Sequence, residues 1–143
     1  MAQDTMKIGF TCGSFDLLHA GHVAMLEECA SFCDKLIIGL QVDPSIDRPT
    51  KNKPIQSVVE RYIQLKAVKF VDEIIPYQYE SELEEILRTV KIDVRIIGSD
   101  WEGKNFTGKE LIGEMHKIIY NKREHSFSSS NLRKRIIKNN KKA

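Results

Sequence analysis

Residues 11–22 read Thr-Cys-Gly-Ser-Phe-Asp-Leu-Leu-His-Ala-Gly-His and directly follow an apolar segment, Lys7-Ile8-Gly9-Phe10. This pattern predicts a strand that ends in a glycine-containing turn and opens into a helix. A helix N-terminus presents unpaired N–H groups and a partial positive charge, and Gly13 lets the backbone approach an anion closely. His19 and His22 are three residues apart, so on a helix they reach one ligand. The segment predicts a phosphate site; the alternative is a helix start with two surface histidines.

Length and charge narrow the class of protein. A chain of 143 residues with 41% hydrophobic residues suits one globular domain, with a core over about residues 7–137 and a basic C-terminal tail. The net charge of +2 argues against a nucleic-acid partner, because phosphate contacts need a clear basic excess. We expect the basic cluster that begins at Arg133, Lys134 and Arg135 to be a solvated tail. With no membrane-length apolar run and no signal peptide, we expect no membrane partner and a cytoplasmic location.

The three cysteines do not form a scaffold or a metal site. Cys29 and Cys33 are four residues apart on a predicted helix, where a disulfide has poor geometry. No second pair of spaced ligands accompanies them or Cys12, so no resident metal is expected. We therefore expect reduced thiols.

Short apolar segments alternate with amphipathic ones along the chain. Strands are predicted at 6–11, 35–40, 73–76, 94–98 and 117–120, and helices at 20–33, from Ser57 to about 68, at 80–90 and at 128–137. Residues 43–54 read as a loop. Each crossover is long enough for a helix, so the fold class is α/β, with a parallel five-stranded sheet between two helical layers. Ligands of such sheets bind beyond the carboxyl ends of the strands, where the loops after strands one, two, four and five should meet.

The segment Gly13–His22 resembles the signature of the HxGH nucleotidyltransferases, with both histidines and the intervening Gly21 at the expected spacing. That superfamily has a Rossmann-like fold. It includes cytidylyltransferases for glycerol 3-phosphate, phosphoethanolamine and phosphocholine, and adenylyltransferases for pantetheine phosphate and heptose phosphate. The resemblance covers about residues 7–137.

A second segment, Gly98-Ser99-Asp100-Trp101-Glu102-Gly103-Lys104, resembles a motif of glycerol-3-phosphate cytidylyltransferases, with Ser99 in place of an aspartate. The resemblance implies that Gly98 and Asp100 contact the nucleotide and that Trp101 walls the acceptor pocket. The alternative for Trp101 is ordinary core packing.

A third segment, Arg123 to Ser130, resembles the Arg-Thr-x-Gly-Ile-Ser-Thr-Thr motif of cytidylyltransferases. The resemblance implies that Arg123 contacts the nucleotide and that Ser128, Ser129 and Ser130 hold its phosphates; plain helix capping by Ser128 is the alternative. Glu124 and Ser126 depart from the motif, and this keeps an adenylyltransferase open as an alternative.

A lysine loop completes the resemblance. Lys51 and Lys53 lie in a loop that resembles the family's lysine loop. The spacing from this loop to the first signature differs from the family pattern by about one residue, so either lysine can be the counterpart. Arg61 resembles an arginine at the start of the next helix, and cations here would hold the acceptor phosphate. The alternative is a solvated loop. Residues 76–81 and this loop should decide which acceptor is used.

The resemblance implies a cytidylyltransferase that transfers CMP from CTP to a phosphorylated polyol, glycerol 3-phosphate first, giving CDP-glycerol and pyrophosphate. Mg²⁺ would accompany the triphosphate, and a homodimer is expected from the family. The alternatives are an adenylyltransferase acting on another phosphorylated small molecule and a non-catalytic nucleotide-binding protein. Three groups of residues are implied: catalytic His19, His22, Lys51, Lys53 and Arg123; nucleotide-binding Cys12, Gly13, Ser14, Phe15, Gly21, His22, Gly98, Asp100, Arg123, Ser128, Ser129 and Ser130; acceptor-binding Asp16, Lys51, Lys53, Arg61 and Trp101.

Overall fold

The computed structural model describes residues 6–122 and 127–142. Strands and helices alternate along these ranges. The strands are β1 (Ile8–Gly13), β2 (Lys35–Gln41), β3 (Glu73–Tyr77), β4 (Val94–Gly98) and β5 (Lys117–Asn121). The α-helices are α1 (Ala20–Ser31), α2 (Pro44–Asp47), α3 (Val58–Lys66), α4 (Glu80–Thr89) and α5 (Ser129–Lys142). Short 3-10 turns follow β4 at Ser99–Trp101 and Lys109–Leu111.

The strands form one parallel sheet in the order β3-β2-β1-β4-β5. This confirms the predicted five-stranded α/β fold. Because every strand runs the same way, all the carboxyl ends lie at one edge. The order reverses direction between β1 and β4, which is the switch point at which open sheets bind ligands.

Both faces of the sheet are covered, as the near-continuous apolar strands predict. On one face, Leu36, Ile38 and Leu40 of β2 join the apolar cluster that contains Leu26 of α1 and Leu65 of α3. On the other face, the intervening residue of β2, Ile37, joins the cluster of α4. The alternation follows the two-residue period of a strand and gives two core layers.

Several element boundaries differ from the prediction. β1 begins at Ile8 and extends to Gly13, because residues up to Gly13 pair with β2. Residues 43–54, expected to be a loop, contain the short helix α2. The Asp43 side chain caps α2 by accepting from Ser45 N at 3.0 Å, and Pro44 stands at its first turn. Asp-Pro at a helix start is a readable signal that the loop interpretation overlooked.

The basic C-terminal segment is helical to Lys142, beyond the predicted end at 137. The expectation of a solvated tail is wrong for Arg133, whose guanidinium lies 3.0 Å from the Asp16 carboxylate. Within the described ranges, every helix is too short or too polar to traverse a bilayer.

Candidate active site

Residues 11–22 bring two histidine rings together at the start of α1. His19 is the N-cap residue with an extended backbone, so it precedes the helix instead of lying on it as predicted. Its Nδ1 accepts from Gly21 N at 3.0 Å, and Nδ1 of His22 accepts from His19 N at 3.2 Å. The two ring centroids are 4.0 Å apart. The rings therefore meet through reciprocal capping rather than through a shared helical face.

These caps fix the position of the imidazole protons. A backbone N–H only donates, so Nδ1 of each ring accepts and carries no proton, and the proton of the neutral ring lies on Nε2. The Nε2–H of His19 faces Ser129 Oγ at 3.1 Å. Both rings are thus set as hydrogen-bond donors through Nε2, beside the N-terminus of α1.

The loop between β1 and α1 is held in a strained conformation. Phe15 and Leu17 have φ of 50° and 53°, in the left-handed region that side chains rarely adopt. The Asp16 carboxylate accepts from Ile55 N at 2.8 Å and Gln56 N at 2.9 Å, and Gln56 Oε1 accepts from Leu17 N at 2.8 Å. Strain of this kind persists only where surrounding contacts determine it, and it concentrates at functional sites.

The first cavity, which we call the histidine cavity, measures about 590 Å³. It lies between the start of α1, the end of β5 and the start of α5. The predicted residues that line it are His19, Gly21, His22, Gly98, Asp100, Ser128, Ser129 and Ser130. Two helix N-termini face this one space, which suits a polyanion.

The second cavity, the sheet cavity, measures about 570 Å³. It lies where β1 and β4 separate: their pairing ends at Phe10 and Arg95, so the strand ends beyond these residues leave a gap. The predicted residues that line it are Cys12, Gly13, Ser14, Lys51, Gly98 and Trp101. Met25, Gly98 and Asn121 line both cavities, so the two spaces adjoin at these residues.

Most of the residues predicted to contact the nucleotide are divided between the two cavities. Cys12, Gly13 and Ser14 line the sheet cavity and not the histidine cavity. Phe15 is buried, with its ring centroid 5.5 Å from that of His22, and lines neither cavity. Phe15 therefore packs near the His22 ring without facing either cavity.

Arg61 does not fit its predicted place in the acceptor pocket. Its side chain is 2% exposed and donates to the carbonyls of Ser14 at 3.0 Å, Gln41 at 2.7 Å, Val42 at 2.5 Å and Gln56 at 3.1 Å. A guanidinium saturated by backbone oxygens joins the ends of β1 and β2 to α3. Asp16, also predicted to bind the acceptor, is likewise buried and engaged by the backbone.

The two lysines of the loop take different places. Lys51 lines the sheet cavity, whereas Lys53 does not. Lys53 lies close enough to Asp43 to contribute, after the hydrogen bonds from Ser45, to the lowered pKa of that carboxyl. Arg123, with Glu124 and Ser126, lies outside the described residues.

Other residues that line the sheet cavity are not among the individually predicted site residues. They are polar side chains of the strands and of the segments that follow them: Gln41, Arg48, Tyr77, Glu80, Arg95, Thr107 and Asn121. Tyr77 and Glu80 fall in the 76–81 region expected to shape the acceptor pocket. Arg95 carried a readable signal, because a single charge interrupts the apolar strand Val94–Gly98. Burial raises the pKa of Cys12 and Tyr77, so both are neutral in this cavity.

The comparisons with known proteins agree with this architecture. Residues 10–135 match the family model described as cytidylyltransferase-like. The bifunctional protein HldE of Aliarcobacter butzleri is 35% identical over 136 residues, which are 94% of this chain and 28% of that protein. HldE of Wolinella succinogenes is 38% identical over 115 residues, 80% of this chain and 24% of that protein. The chain thus spans less than a third of these curated relatives.

Solved structures show the same fold. A lipopolysaccharide core biosynthesis protein from Thermoplasma volcanium superposes with a TM-score of 0.70 at 25% identity, covering 84% of this chain and 99% of that one. A putative nicotinate-nucleotide adenylyltransferase from Vibrio parahaemolyticus has a TM-score of 0.58 at 18% identity, covering 94% and 88%. Because the family model spans most of the sequence, the chain belongs to the cytidylyltransferase-like family of nucleotidyltransferases.

Proposed function

We propose that this chain transfers an adenylyl group from ATP to a phosphorylated sugar, giving an ADP-sugar and pyrophosphate. One observation carries the proposal: two cavities of similar volume adjoin beside a pair of histidines whose Nε2 atoms are donors. A transfer between two substrates needs two adjacent binding spaces and charge stabilisation where they meet.

The histidine cavity is the proposed nucleotide site. The N-terminus of α1 and the N-terminus of α5 supply donors and partial positive charge for phosphate oxygens. The hydroxyls of Ser128, Ser129 and Ser130 line the same space. Asp100 lines the same cavity and would accept from a ribose hydroxyl or a base amine.

The sheet cavity is the proposed acceptor site. An oxygen of the acceptor phosphate attacks the α-phosphorus, a new P–O bond forms, and the bond to the bridging oxygen breaks as its electron pair leaves with pyrophosphate. The attacking oxygen is already an anion, so no general base is required. His19 and His22 would donate to the oxygens of the five-coordinate phosphorus, and Lys51 and Arg123 would add positive charge.

Mg²⁺ commonly accompanies a nucleoside triphosphate. Among residues 6–122 and 127–142, no three His, Cys, Asp or Glu side chains converge to hold a metal ion. The donor set therefore fits an ion held mainly by phosphate oxygens, with Asp100 and Glu28 as the carboxylates that line the histidine cavity. Such an ion would supply charge neutralisation of the departing pyrophosphate.

Three observations favour ATP and a sugar phosphate over the predicted CTP and glycerol 3-phosphate. The similar curated proteins are HldE proteins, and the structure with a TM-score of 0.70 is a lipopolysaccharide core biosynthesis protein, which points to sugar chemistry. Glu124 and Ser126 depart from the cytidylyltransferase motif. The polar side chains that line part of the sheet cavity suit an acceptor with several hydroxyl groups.

The second candidate is the predicted glycerol-3-phosphate cytidylyltransferase. The segment Gly98 to Lys104 favours it, because this segment resembles that branch of the family. In this candidate Trp101, which lines the sheet cavity, walls a smaller acceptor.

Pyrophosphate release tests the proposal. Purified protein is incubated with Mg²⁺ and with ATP, CTP, GTP or UTP, each against glycerol 3-phosphate and the 1-phosphates of glucose, mannose and a heptose. We expect the fastest release with ATP and a sugar phosphate, and loss of release in His19→Asn. Faster release with CTP and glycerol 3-phosphate would establish the second candidate. Release from no pair would leave a nucleotide-binding protein. Light scattering of the same preparation tests the expected homodimer.

A further inference from the structure

Arg95 is a buried cation in the wall of the sheet cavity. It is 3% exposed and lies at the last position where β4 pairs with β1. The guanidinium donates to the carbonyl of Thr107, and its carbon lies 5.1 Å from the centre of the Phe106 ring. Its Nε has no hydrogen-bond partner, and no described carboxylate oxygen lies within ion-pair distance.

The Arg95 guanidinium lacks a hydrogen-bond acceptor for part of its N–H groups. A guanidinium offers five N–H donors, and the protein supplies acceptors for few of them at Arg95. Burying a charge with unused donors is costly unless a partner satisfies it. Because Arg95 lines a cavity, a bound molecule is the available source of that partner oxygen.

Glu80 lines the same cavity on the other side of Thr107. Its Oε1 accepts from the Thr107 hydroxyl at 2.9 Å and its Oε2 from Gln41 Nε2 at 3.1 Å. Two charged groups of opposite sign therefore flank a single residue. A ligand hydroxyl suits this pair, because it accepts from the guanidinium while donating to the carboxylate. A ligand carboxylate would also satisfy Arg95, and Arg48 and Lys51 line the same cavity, but it would add a second negative charge beside Glu80 at Thr107.

The position of Arg95 identifies which end of the acceptor it would meet. Gly98 lines both cavities and lies where the reacting phosphate must reach the nucleotide. Arg95 precedes Gly98 by three residues on β4, which sets their Cα atoms about 10 Å apart at 3.3 Å per residue. That separation is comparable to the length of a hexose phosphate.

We propose that Arg95 and Glu80 are specificity-determining residues that select acceptors with a hydroxyl group at the end opposite the reacting phosphate. The proposal rests on the assignment of the sheet cavity to the acceptor under the proposed function.

The test uses three sugar phosphates that differ only at C6: glucose 1-phosphate, 6-deoxyglucose 1-phosphate and glucuronic acid 1-phosphate. Binding of each is measured by calorimetry without nucleotide, and pyrophosphate release is measured with ATP. We expect wild-type protein to prefer glucose 1-phosphate over the deoxy compound by about 10- to 100-fold, the range for a hydrogen bond to a charged group.

In Arg95→Met we expect this preference to fall to within a few-fold. The ratio compares two ligands in one variant, so partial loss of folded protein cancels from it. Arg95→Lys keeps the charge and serves as a second variant, which should retain part of the preference. Arg88→Met is the matched control, since Arg88 is exposed and paired with Glu84; its ratio should equal that of wild type.

Each other outcome has a defined meaning. Equal binding of glucose and 6-deoxyglucose 1-phosphates by wild type, or binding of none at millimolar concentration, overturns the proposal. Tighter binding of glucuronic acid 1-phosphate overturns the choice of a hydroxyl. An unchanged ratio in Arg95→Met leaves Arg95 with a structural role only and also overturns it. If the protein binds glucose 1-phosphate more tightly than the deoxy compound but releases pyrophosphate from no nucleotide, the proposed function is refuted. The selection of a ligand hydroxyl by Arg95 and Glu80 then still stands.

Discussion

The Arg133 guanidinium lies 3.0 Å from Oδ2 of Asp16, which joins α5 to the strained loop that carries the histidines. The same Oδ2 accepts from Ile55 N, and Oδ1 accepts from Gln56 N. One carboxylate thus connects the loop after β1, the segment before α3 and the C-terminal helix. Since α5 also brings Ser129 to His19, this contact bears on the shape of the histidine cavity.

We expect Asp16→Ala to lower the free energy of unfolding by about 2–4 kcal/mol, because it leaves two backbone donors and a cation without their acceptor. Arg133→Gln should cost about 1 kcal/mol or less, since Arg133 is partly exposed. Urea unfolding at neutral pH measures both. A larger loss in Arg133→Gln than in Asp16→Ala would show that the ion pair, and not the backbone contacts, stabilises the loop.

His19→Asn should retain the fold and lose turnover by about 10²–10³-fold. Asparagine is a good N-cap, so the bond to Gly21 N is preserved, whereas the Nε2 donor is removed. The melting temperature and the rate of pyrophosphate release are measured on the same sample. Near-normal turnover would refute a catalytic role for His19, and a large fall in melting temperature would show that capping by asparagine fails here.

Arg61→Met should unfold the protein more readily, by about 3–5 kcal/mol, because several backbone carbonyls lose a buried donor at once. The acceptor KM of the fraction that remains folded should change little. The sequence resemblance predicts the opposite pattern, a raised KM with normal stability. Chemical unfolding together with KM measurement at low temperature distinguishes the two roles.

The thiols should react slowly in the native state. Burial raises the pKa of the Cys29 thiol to about 12, and it also raises the pKa of Cys12 and Cys33. Because the thiolate is the nucleophile, little of it forms at pH 8 when the pKa lies well above that value. We expect slow reaction with an aromatic disulfide reagent at pH 8 and rapid reaction of all three thiols after unfolding. Rapid labelling of native protein would indicate that the thiols are accessible.

Local sequence determined the secondary structure closely, because apolar periodicity and caps act within a few residues. The Ser57 to Glu60 capping pattern predicts the start of α3, and the structure confirms it with both hydrogen bonds formed. The predicted strand at residues 94–98 has the same first and last residues as β4. The four residues of α2 are too few for a periodic pattern, so only the Asp43-Pro44 start indicates this helix in the sequence.

The roles of the charged residues depended on tertiary structure. The apolar strand around Arg95 marks that residue as unusual, but the local sequence does not show that backbone carbonyls saturate Arg61 or that Arg95 retains an unpartnered donor beside a cavity. The difference arises because residues 47 positions apart, Ser14 and Arg61, meet at the end of the sheet.

The sequence by itself determined the parallel α/β fold and the nucleotidyltransferase signature, since both are written in contiguous residues with fixed spacing. Only the tertiary structure decided that the His19 ring meets Ser129 of α5, that β1 and β4 separate to open a second cavity, and which polar side chains line it. These features depend on the packing of strand ends and on burial, and both are set by contacts between segments distant in sequence.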